Sequence, residues 1–243
     1  MRNTMKAATI ESKFPLLAVE HDCIISKDAD ITVAFRVDLP ELFTVTSAEY
    51  EAIHSSWAKA IKVLPDYSVI QKQDWFTKEN YKPETDKEDM SFLSRSFERH
   101  FNERPFMNHT CFLYLTKTTK ERQRMQSNFS SLCRGNIIPK EVDKETTVKF
   151  LEAVGQFERI VNDSVFVKLT RLTTDEITGT PESAGLIEKY FALSLEDTTC
   201  LEDLELGADG LRVGDKHICV HTVSDVEDLP GTVGTDMRYE RLS

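Results

Sequence analysis

Histidine and cysteine alternate in three short stretches of the sequence, and both side chains are common zinc ligands. Residues two positions apart in a strand point to the same face, so each stretch would present its histidine and cysteine side chains together. If the strands were neighbours, they could form a metal site. The spacing matches no established zinc framework, however, and a half-buried sheet face accommodates the same residues. The three stretches are His217, Cys219 and His221; His21 and Cys23; and His109 and Cys111.

A second candidate is a basic segment in which four positive charges accompany the single acid Glu121. Such a segment could contact phosphate groups or anionic lipid. It lacks the interleaved aromatic residues on which nucleic-acid bases stack. A solvated helix face with charges four residues apart accounts for the pattern equally well. The basic members are Lys117, Lys120, Arg122 and Arg124.

The residues upstream of this segment have helical periodicity. Their apolar members recur every three or four positions, which predicts an amphipathic helix. We expect its apolar face to pack in the core, together with the apolar strand that follows. Phe92, Arg95 and Arg99 fall on the other side, where an aromatic residue beside arginines is typical of a protein interface. A second layer of packing against Phe92 is the alternative interpretation. The apolar members are Met90, Leu93, Phe97 and Phe101.

The motifs of common nucleotide and hydrolase sites are absent from the 243 residues. A phosphate-binding loop needs closely spaced glycines followed by Lys and Ser or Thr, and none of the nine glycines precedes a lysine. The G-x-S-x-G turn of one large hydrolase family is missing as well. We therefore expect neither a common ATP site nor catalytic residues in this chain.

The net charge of −11 is distributed unevenly. Residues 1–173 contain 25 acidic and 25 basic residues, whereas residues 174–243 contain 16 acidic and 5 basic ones. Nucleic-acid affinity depends largely on Lys and Arg neutralising phosphates, so the acidic C-terminal part argues against direct nucleic-acid binding. The chain length fits one large domain or two small ones. The charge step leaves open whether residues 174–243 form a lobe separate from residues 1–173.

Cysteine usage and hydropathy predict a soluble, cytoplasmic protein. The five cysteines are odd in number, widely spaced and without a C-x-x-C pair, which favours a reducing compartment. The sequence has no apolar run that could serve as the core of a signal peptide. It also has no run approaching the roughly 20 apolar residues that a membrane-spanning helix needs.

The order of predicted elements favours an α+β fold. Strands come first, then alternate with helices, then return as a hairpin, which is typical of a largely antiparallel sheet with amphipathic helices on one face. Thr46 and Glu49 have the spacing of a capping box at a helix start. Residues 78–87 are predicted to form an exposed loop. Predicted strands cover residues 16–20, 23–26, 31–38, 67–76, 107–116, 164–171, 211–213 and 217–222. Predicted helices cover residues 46–64, 90–101, 126–134 and 143–161, and a further helix is predicted within residues 182–195.

Four stretches of the sequence resemble the TraG family of conjugative transposons, the large cytoplasmic ATPases of mating machines similar to type IV secretion systems. The resemblance extends over essentially all 243 residues and includes the N-terminus. It is specific to this family and does not depend on a generic motif. The stretches are residues 14–20, 47–54, 92–106 and 114–122.

This resemblance implies that residues 1–243 are a single N-terminal domain of a longer protein. In the family, the P-loop motor lies beyond the region that matches, so ATP and magnesium are expected only there. No catalytic residue can be carried over to this chain. The implied role is docking to inner-membrane components of the secretion apparatus and subunit assembly, including homo-oligomerisation. The expected location is the cytoplasm, peripheral to the inner membrane.

Two alternatives from other functional classes stay open. The first is a small metal-dependent enzyme that uses His217, Cys219 and His221. The second is a DNA-contacting accessory module that uses Arg95, Arg99 and the basic segment, although the net charge is adverse.

Overall fold

The computed structural model describes residues 14–27, 30–40, 45–81, 91–118, 144–196, 203–207 and 210–222. The helices are α1 Ser47–Val63, α2 Phe92–Asn102, α3 Lys144–Asn162, α4 Thr174–Thr178 and α5 Leu186–Ala192. The strands are β1 Leu16–Glu20, β2 Cys23–Ser26, β3 Ile31–Asp38, β4 Ser68–Asn80, β5 Pro105–Lys117, β6 Lys168–Arg171, β7 Gly179–Thr180, β8 Ser183–Ala184, β9 Leu204–Gly207, β10 Gly210–Val213 and β11 Lys216–Ile218.

Six strands of the described chain form the main sheet. Five lie in the order β1-β2-β3-β5-β4, β6 pairs with β3, and all the pairings are antiparallel. β3 lies inside the sheet because both of its edges are paired. One edge of β3 pairs with β5. The other edge pairs with β2 near Ile31 and with β6 from Phe35 to Asp38. The predicted α+β class with a largely antiparallel sheet is confirmed.

Helices α1 and α3 cover the first face of this sheet. The predicted capping box starts α1, since the Glu49 amide donates to Thr46 Oγ1 at 3.3 Å and the Thr46 amide donates to the Glu49 carboxylate at 2.8 Å. Trp57 of α1 meets Phe157 of α3 edge to face, with ring centroids 5.8 Å apart. Phe157 is fully buried with Phe35 of β3. This layer is the larger core, and its burial drives the docking of both helices.

Helices α4 and α5 cover the second face, so the expectation that helices cover only one face is wrong. Ile177 of α4 and Leu186 of α5 are buried with Ala34 and Phe112 of the sheet. A backbone amide and a hydroxyl of Thr174 both donate to the Asp22 carboxylate, at 2.6 and 2.9 Å. These bonds join the start of α4 to the turn between β1 and β2.

A three-stranded sheet of β9, β10 and β11 follows, and β7 pairs with β8 in a small hairpin. The Lys216 ammonium donates to the carbonyl oxygens of Ala192 and Leu193, at 3.1 and 3.2 Å, and so ties β11 to the end of α5. Within the described parts of the chain, no helix is both long and apolar enough to cross a bilayer.

Several predicted boundaries differ from the observed ones. Residues 78–80 continue β4, because their backbone pairs with residues 105–107 of β5, so the loop prediction is wrong at these positions. The predicted strand 164–171 is only Lys168–Arg171, whereas the helix predicted within residues 182–195 is confirmed as Leu186–Ala192. The predicted helix 126–134 and residues 82–87 of the predicted loop lie outside the described residues.

Candidate functional site

Strands β4 and β5 extend beyond the rest of the main sheet. They pair along their whole length, from Ser68 opposite Lys117 to Asn80 opposite Pro105. β3, by contrast, pairs with β5 only from Cys111 to Lys117. The part of the ribbon before Cys111 spans about 20 Å at the rise of an antiparallel strand. We call residues 75–81 and 91–110, which include α2, the arm.

Helix α2 lies at the tip of the arm. Ser91 starts it, since its hydroxyl accepts a hydrogen bond from the Ser94 amide at 3.2 Å. The Tyr81 hydroxyl donates to the Glu98 carboxylate at 3.3 Å, and the Tyr81 ring contacts Phe101 edge to face at 6.4 Å. One side of α2 is therefore held against the end of β4.

The apolar face of α2 is exposed, and its predicted core role is wrong. No residue of the helix is buried. The exposed fractions of Leu93 and Phe97 are 78% and 63%, and Phe101 is exposed despite its contact with Tyr81. Periodicity identifies which residues share a helix face, but it does not identify what that face contacts. Met90, the remaining member of the predicted face, lies outside the described residues.

Further apolar side chains extend this exposed surface along the ribbon. Phe76, Phe106 and Met107 are all exposed and lie on the arm strands. Sequence reasoning missed them because it assigned each to a strand or loop without knowing how far the ribbon projects. The predicted strand 107–116 gave no such signal, because β5 extends to Pro105–Lys117 only through its pairing with β4.

The predicted partner residues of α2 lie together on the exposed tip. Phe92 is 82% exposed, which excludes the alternative that a second core layer covers it. The Arg99 guanidinium donates to the Glu103 carboxylate at 2.8 Å, and Arg95 lies one helical turn before it, also exposed. Arg104 adds a third positive charge where the helix ends. Phe92 therefore lies between an arginine flank and the Leu93–Phe97 side.

Only Lys117 of the predicted basic segment is among the described residues, and it lies far from this tip. Lys117 ends β5 and therefore lies about 40 Å from Pro105 at the rise of an extended strand. Its ammonium donates to the Asp66 carbonyl oxygen and sits 5.4 Å from the centre of the Tyr67 ring. Partial burial lowers the pKa of Lys117. Lys120, Arg122 and Arg124 lie outside the described residues.

The histidine and cysteine stretches do not come together. β11 ends at Ile218, so His217 is in a strand whereas Cys219 and His221 follow it, exposed. Cys23 and Cys111 are buried in the first core layer, on different strands. Across the described ranges, no group of three or more His, Cys, Asp or Glu side chains has an arrangement that could hold a metal ion.

One histidine makes a defined local contact at the base of the arm. His109 Nε2 lies 2.8 Å from an Asp74 oxygen, and the His109 ring stacks on Phe76 at 4.6 Å. Lys72 donates to the same carboxylate at 2.5 Å. Burial raises the pKa of the neighbouring Cys111 thiol to about 11, so it is a poor nucleophile at neutral pH. This cluster holds the two strands together and has no arrangement of a catalytic triad.

An open groove of about 500 Å³ adjoins the arm on the second face of the sheet. It is lined by residues of both charges, including Arg36, Glu79, Asp175 and Lys189. Glu79 accepts hydrogen bonds from Thr77 and Asn108, both at 3.0 Å. Opposite charges are mixed along its walls, so the groove has no single-sign field with which to select an anion or a cation.

Comparison with protein families gives one partial match. Residues 3–55 match the family model "Domain of unknown function, B. Theta Gene description (DUF3875)". This region covers β1, β2, β3 and the start of α1, and it excludes the arm. No curated protein matches the chain.

Proposed function

We propose that this chain is the non-catalytic N-terminal assembly domain of a TraG-like conjugation ATPase. In this proposal it docks the motor on other secretion-system proteins at the inner membrane, assembles with further copies, and works in the cytoplasm, peripheral to that membrane. ATP and magnesium belong to the motor and not to this domain. The observation that carries the proposal is the arm, whose tip exposes a cluster of large apolar side chains.

Helix α2 is unsuited to stabilising the domain itself. The residues of α2 contribute nothing to either core cluster, although the helix carries three phenylalanines and a leucine. Contiguous exposed apolar patches on soluble proteins commonly mark interaction sites. The patch lies at the end of a projecting ribbon, where a large partner can reach it without contacting the rest of the sheet.

The absence of a Gly-Lys pair from the sequence supports the non-catalytic part of the proposal. Isothermal titration of the purified chain with ATP and magnesium tests it directly. We expect no binding heat at micromolar nucleotide. Micromolar ATP binding would overturn the non-catalytic assignment.

The docking role is tested in cells that carry the full-length gene on its mobile element. The double substitution Leu93→Asp with Phe97→Asp places two charges on the exposed face of α2. We expect DNA transfer to a recipient to fall at least tenfold, because the loss of central apolar anchors typically weakens an interface by about 2 kcal/mol or more.

The matched control for this experiment is Val220→Asp. Val220 is 80% exposed and lies outside the arm. Its substitution therefore also replaces an exposed apolar side chain by a carboxylate, but at a site without a proposed partner. Protein abundance is measured for each strain by immunoblotting. Transfer that is unchanged by the double substitution, at equal protein abundance, would refute docking through the arm.

A further inference from the structure

Strand β4 forms one edge of the main sheet. It pairs with β5 on one side, and no strand of the described residues pairs with its other side. None of its 13 residues is buried. The edge therefore presents a long row of backbone amides and carbonyl oxygens without a ladder partner among the described residues. Such a row is a template on which a further strand can add.

The opposite edge of the sheet is built differently. β1 has only five residues, and its pairing with β2 is shifted between Leu16 and Ala18. Short edge strands and irregular pairing both discourage a further strand from adding. β4, by contrast, pairs with β5 over 13 residues without a register shift. It therefore lacks both of these protections.

The backbone geometry of β4 restricts which of its residues can pair with a further strand. The Thr118 amide donates to the Tyr67 carbonyl oxygen at 2.9 Å, in register with the pairs between β4 and β5. Hydrogen-bonded and non-hydrogen-bonded pairs alternate along an antiparallel ladder, so the odd-numbered residues of β4 direct their backbone groups to β5. The even-numbered residues direct theirs to the open edge. An added strand must therefore bond to the even-numbered residues.

The sequence of β4 is complementary to itself in one such register. Two antiparallel copies centred on Gln73 place Lys72 of each copy opposite Asp74 of the other, and opposite charges across a ladder stabilise the pairing. Shifting the centre by one residue either way would instead set Lys72 opposite Lys72 or Asp74 opposite Asp74. The register centred on Gln73 also sets Ile70 opposite Phe76, which is 63% exposed, on the same sheet face as Lys72.

The two charged residues of this edge also contact each other within one chain. Lys72 donates to both Asp74 carboxylate oxygens, at 2.6 and 2.5 Å, and His109 Nε2 lies 2.8 Å from one of them. A lysine on an edge strand commonly prevents pairing. Here an aspartate lies at the position that would oppose this lysine in a second copy. The charges therefore select one register of pairing and disfavour its neighbours.

We propose that two copies of this chain pair through their β4 edges, antiparallel and centred on Gln73, so that the two main sheets become continuous. The paired segment runs from Ser68 to Lys78 and forms about a dozen backbone hydrogen bonds. The inference rests on the proposed function, because it names the surface through which further copies assemble. Helix α2 lies outside the paired segment.

Sedimentation equilibrium of the purified full chain measures this pairing. We expect a dimer that dissociates on dilution. Lys72→Glu or Asp74→Lys alone sets like charges opposite each other twice in the dimer, so each should weaken dimerisation at least about tenfold. Neither residue is buried, and circular dichroism verifies that both variants fold.

An equimolar mixture of the two variants provides the matched control. In a mixed dimer every carboxylate at these positions faces an ammonium group, so we expect mixed dimers with an affinity close to that of the unmodified chain. Loss of the internal contact between Lys72 and Asp74 cannot give this recovery, because both variants lack that contact. A single chain that carries Lys72→Glu with Asp74→Lys should likewise dimerise.

Two results would overturn the inference. The first is a chain that sediments as a monomer at every concentration, which would leave the edge to an extended segment of another protein. The second is a dimer that the single charge reversals do not weaken or that their mixture does not restore. Leu93→Asp with Phe97→Asp should leave the dimer intact. If this double substitution dissociated it, the second copy would occupy α2 and pairing through β4 would be wrong.

Failure of this inference is distinguishable from failure of the proposed function. If pairing through β4 fails while the Leu93/Phe97 double variant still loses DNA transfer, the proposed docking function stands. If the mixture restores the dimer while that double variant transfers DNA normally, pairing through β4 stands and docking through the arm fails.

Discussion

Helices α2 and α3 have the same kind of amphipathic sequence and opposite environments. In α3, Phe150, Val154 and Phe157 recur on one face and are all buried against the main sheet. In α2, Leu93 and Phe97 recur in the same way and are exposed. The difference is one of position, because α3 lies over the centre of the sheet and α2 lies at the tip of a two-stranded ribbon.

This comparison separates two uses of an apolar helix face. A face over the sheet centre stabilises the fold, since both partners belong to the same chain. The face at the end of the arm is exposed, apart from the contact between Phe101 and Tyr81, and an exposed apolar patch of this kind commonly marks an interaction site. The following predictions test whether the two helices, which differ in burial, also differ in their contribution to the free energy of unfolding.

The largest expected effect is that of Phe157→Ala in α3. The ring is fully buried and contacts Trp57, so truncation leaves a cavity and should lower the free energy of unfolding by about 3–5 kcal/mol. Phe97→Ala in α2 removes the same atoms from an exposed site. It should change stability by no more than about 0.5 kcal/mol. Urea unfolding followed by fluorescence measures both changes.

A loss of stability in Phe97→Ala that approached the loss in Phe157→Ala would contradict the comparison. It would mean that α2 packs on part of the same chain in solution. The slope of the unfolding transition against urea provides a check, because a variant that alters only stability leaves this slope unchanged.

The buried residues were predictable in the part of the main sheet that α1 and α3 cover. The alternation in Ile31–Asp38 predicted the central strand, and the Thr46–Glu49 spacing predicted the start of α1. The apolar stripe through Val154 and Phe157 predicted α3. In these segments, local periodicity and the final packing agree, because every strand or helix meets the sheet interior.

The arm was not predictable in the same way. The periodicity of Leu93, Phe97 and Phe101 indicated a helix correctly, but the partner of its face depends on the relative lengths of β3, β4 and β5. Those lengths follow from pairing between residues far apart in sequence, such as Val37 opposite Cys111. The exposed site on α2 therefore emerges only from the three-dimensional arrangement.

A smaller difference is expected between the helix caps. Thr46→Ala removes the capping box of α1, which packs in the first core layer, and should lower global stability by about 1 kcal/mol. Ser91→Ala removes the corresponding cap of α2. It should leave global stability unchanged and only increase amide exchange within the arm helix, because that helix opens without disturbing either core.

Hydrogen exchange read by mass spectrometry, together with urea unfolding, distinguishes these outcomes. Equal global destabilisation by Thr46→Ala and Ser91→Ala would show that α2 unfolds together with the main sheet. Amide exchange in α2 as slow as that in α3 would also contradict the prediction that α2 opens without disturbing either core.

The smallest expected effect concerns acid pH and the side of the sheet opposite α3. Hydrogen bonds from the backbone amide and then the hydroxyl of Thr174 lower the pKa of Asp22 in the folded state. The stabilisation is therefore complete above the unfolded pKa of about 3.9 and is lost as pH falls through the lower, folded pKa. Asp22→Asn should flatten this part of the stability profile. Glu103→Gln, at the residue that follows α2, should leave it unchanged, because we expect α2 to open without disturbing either core. Urea unfolding between pH 5 and about 2.5 measures how the free energy of unfolding of both variants depends on pH. If this dependence were as steep in Asp22→Asn as in the unmodified chain, the hydrogen bonds between Asp22 and Thr174 would be excluded as a source of stability.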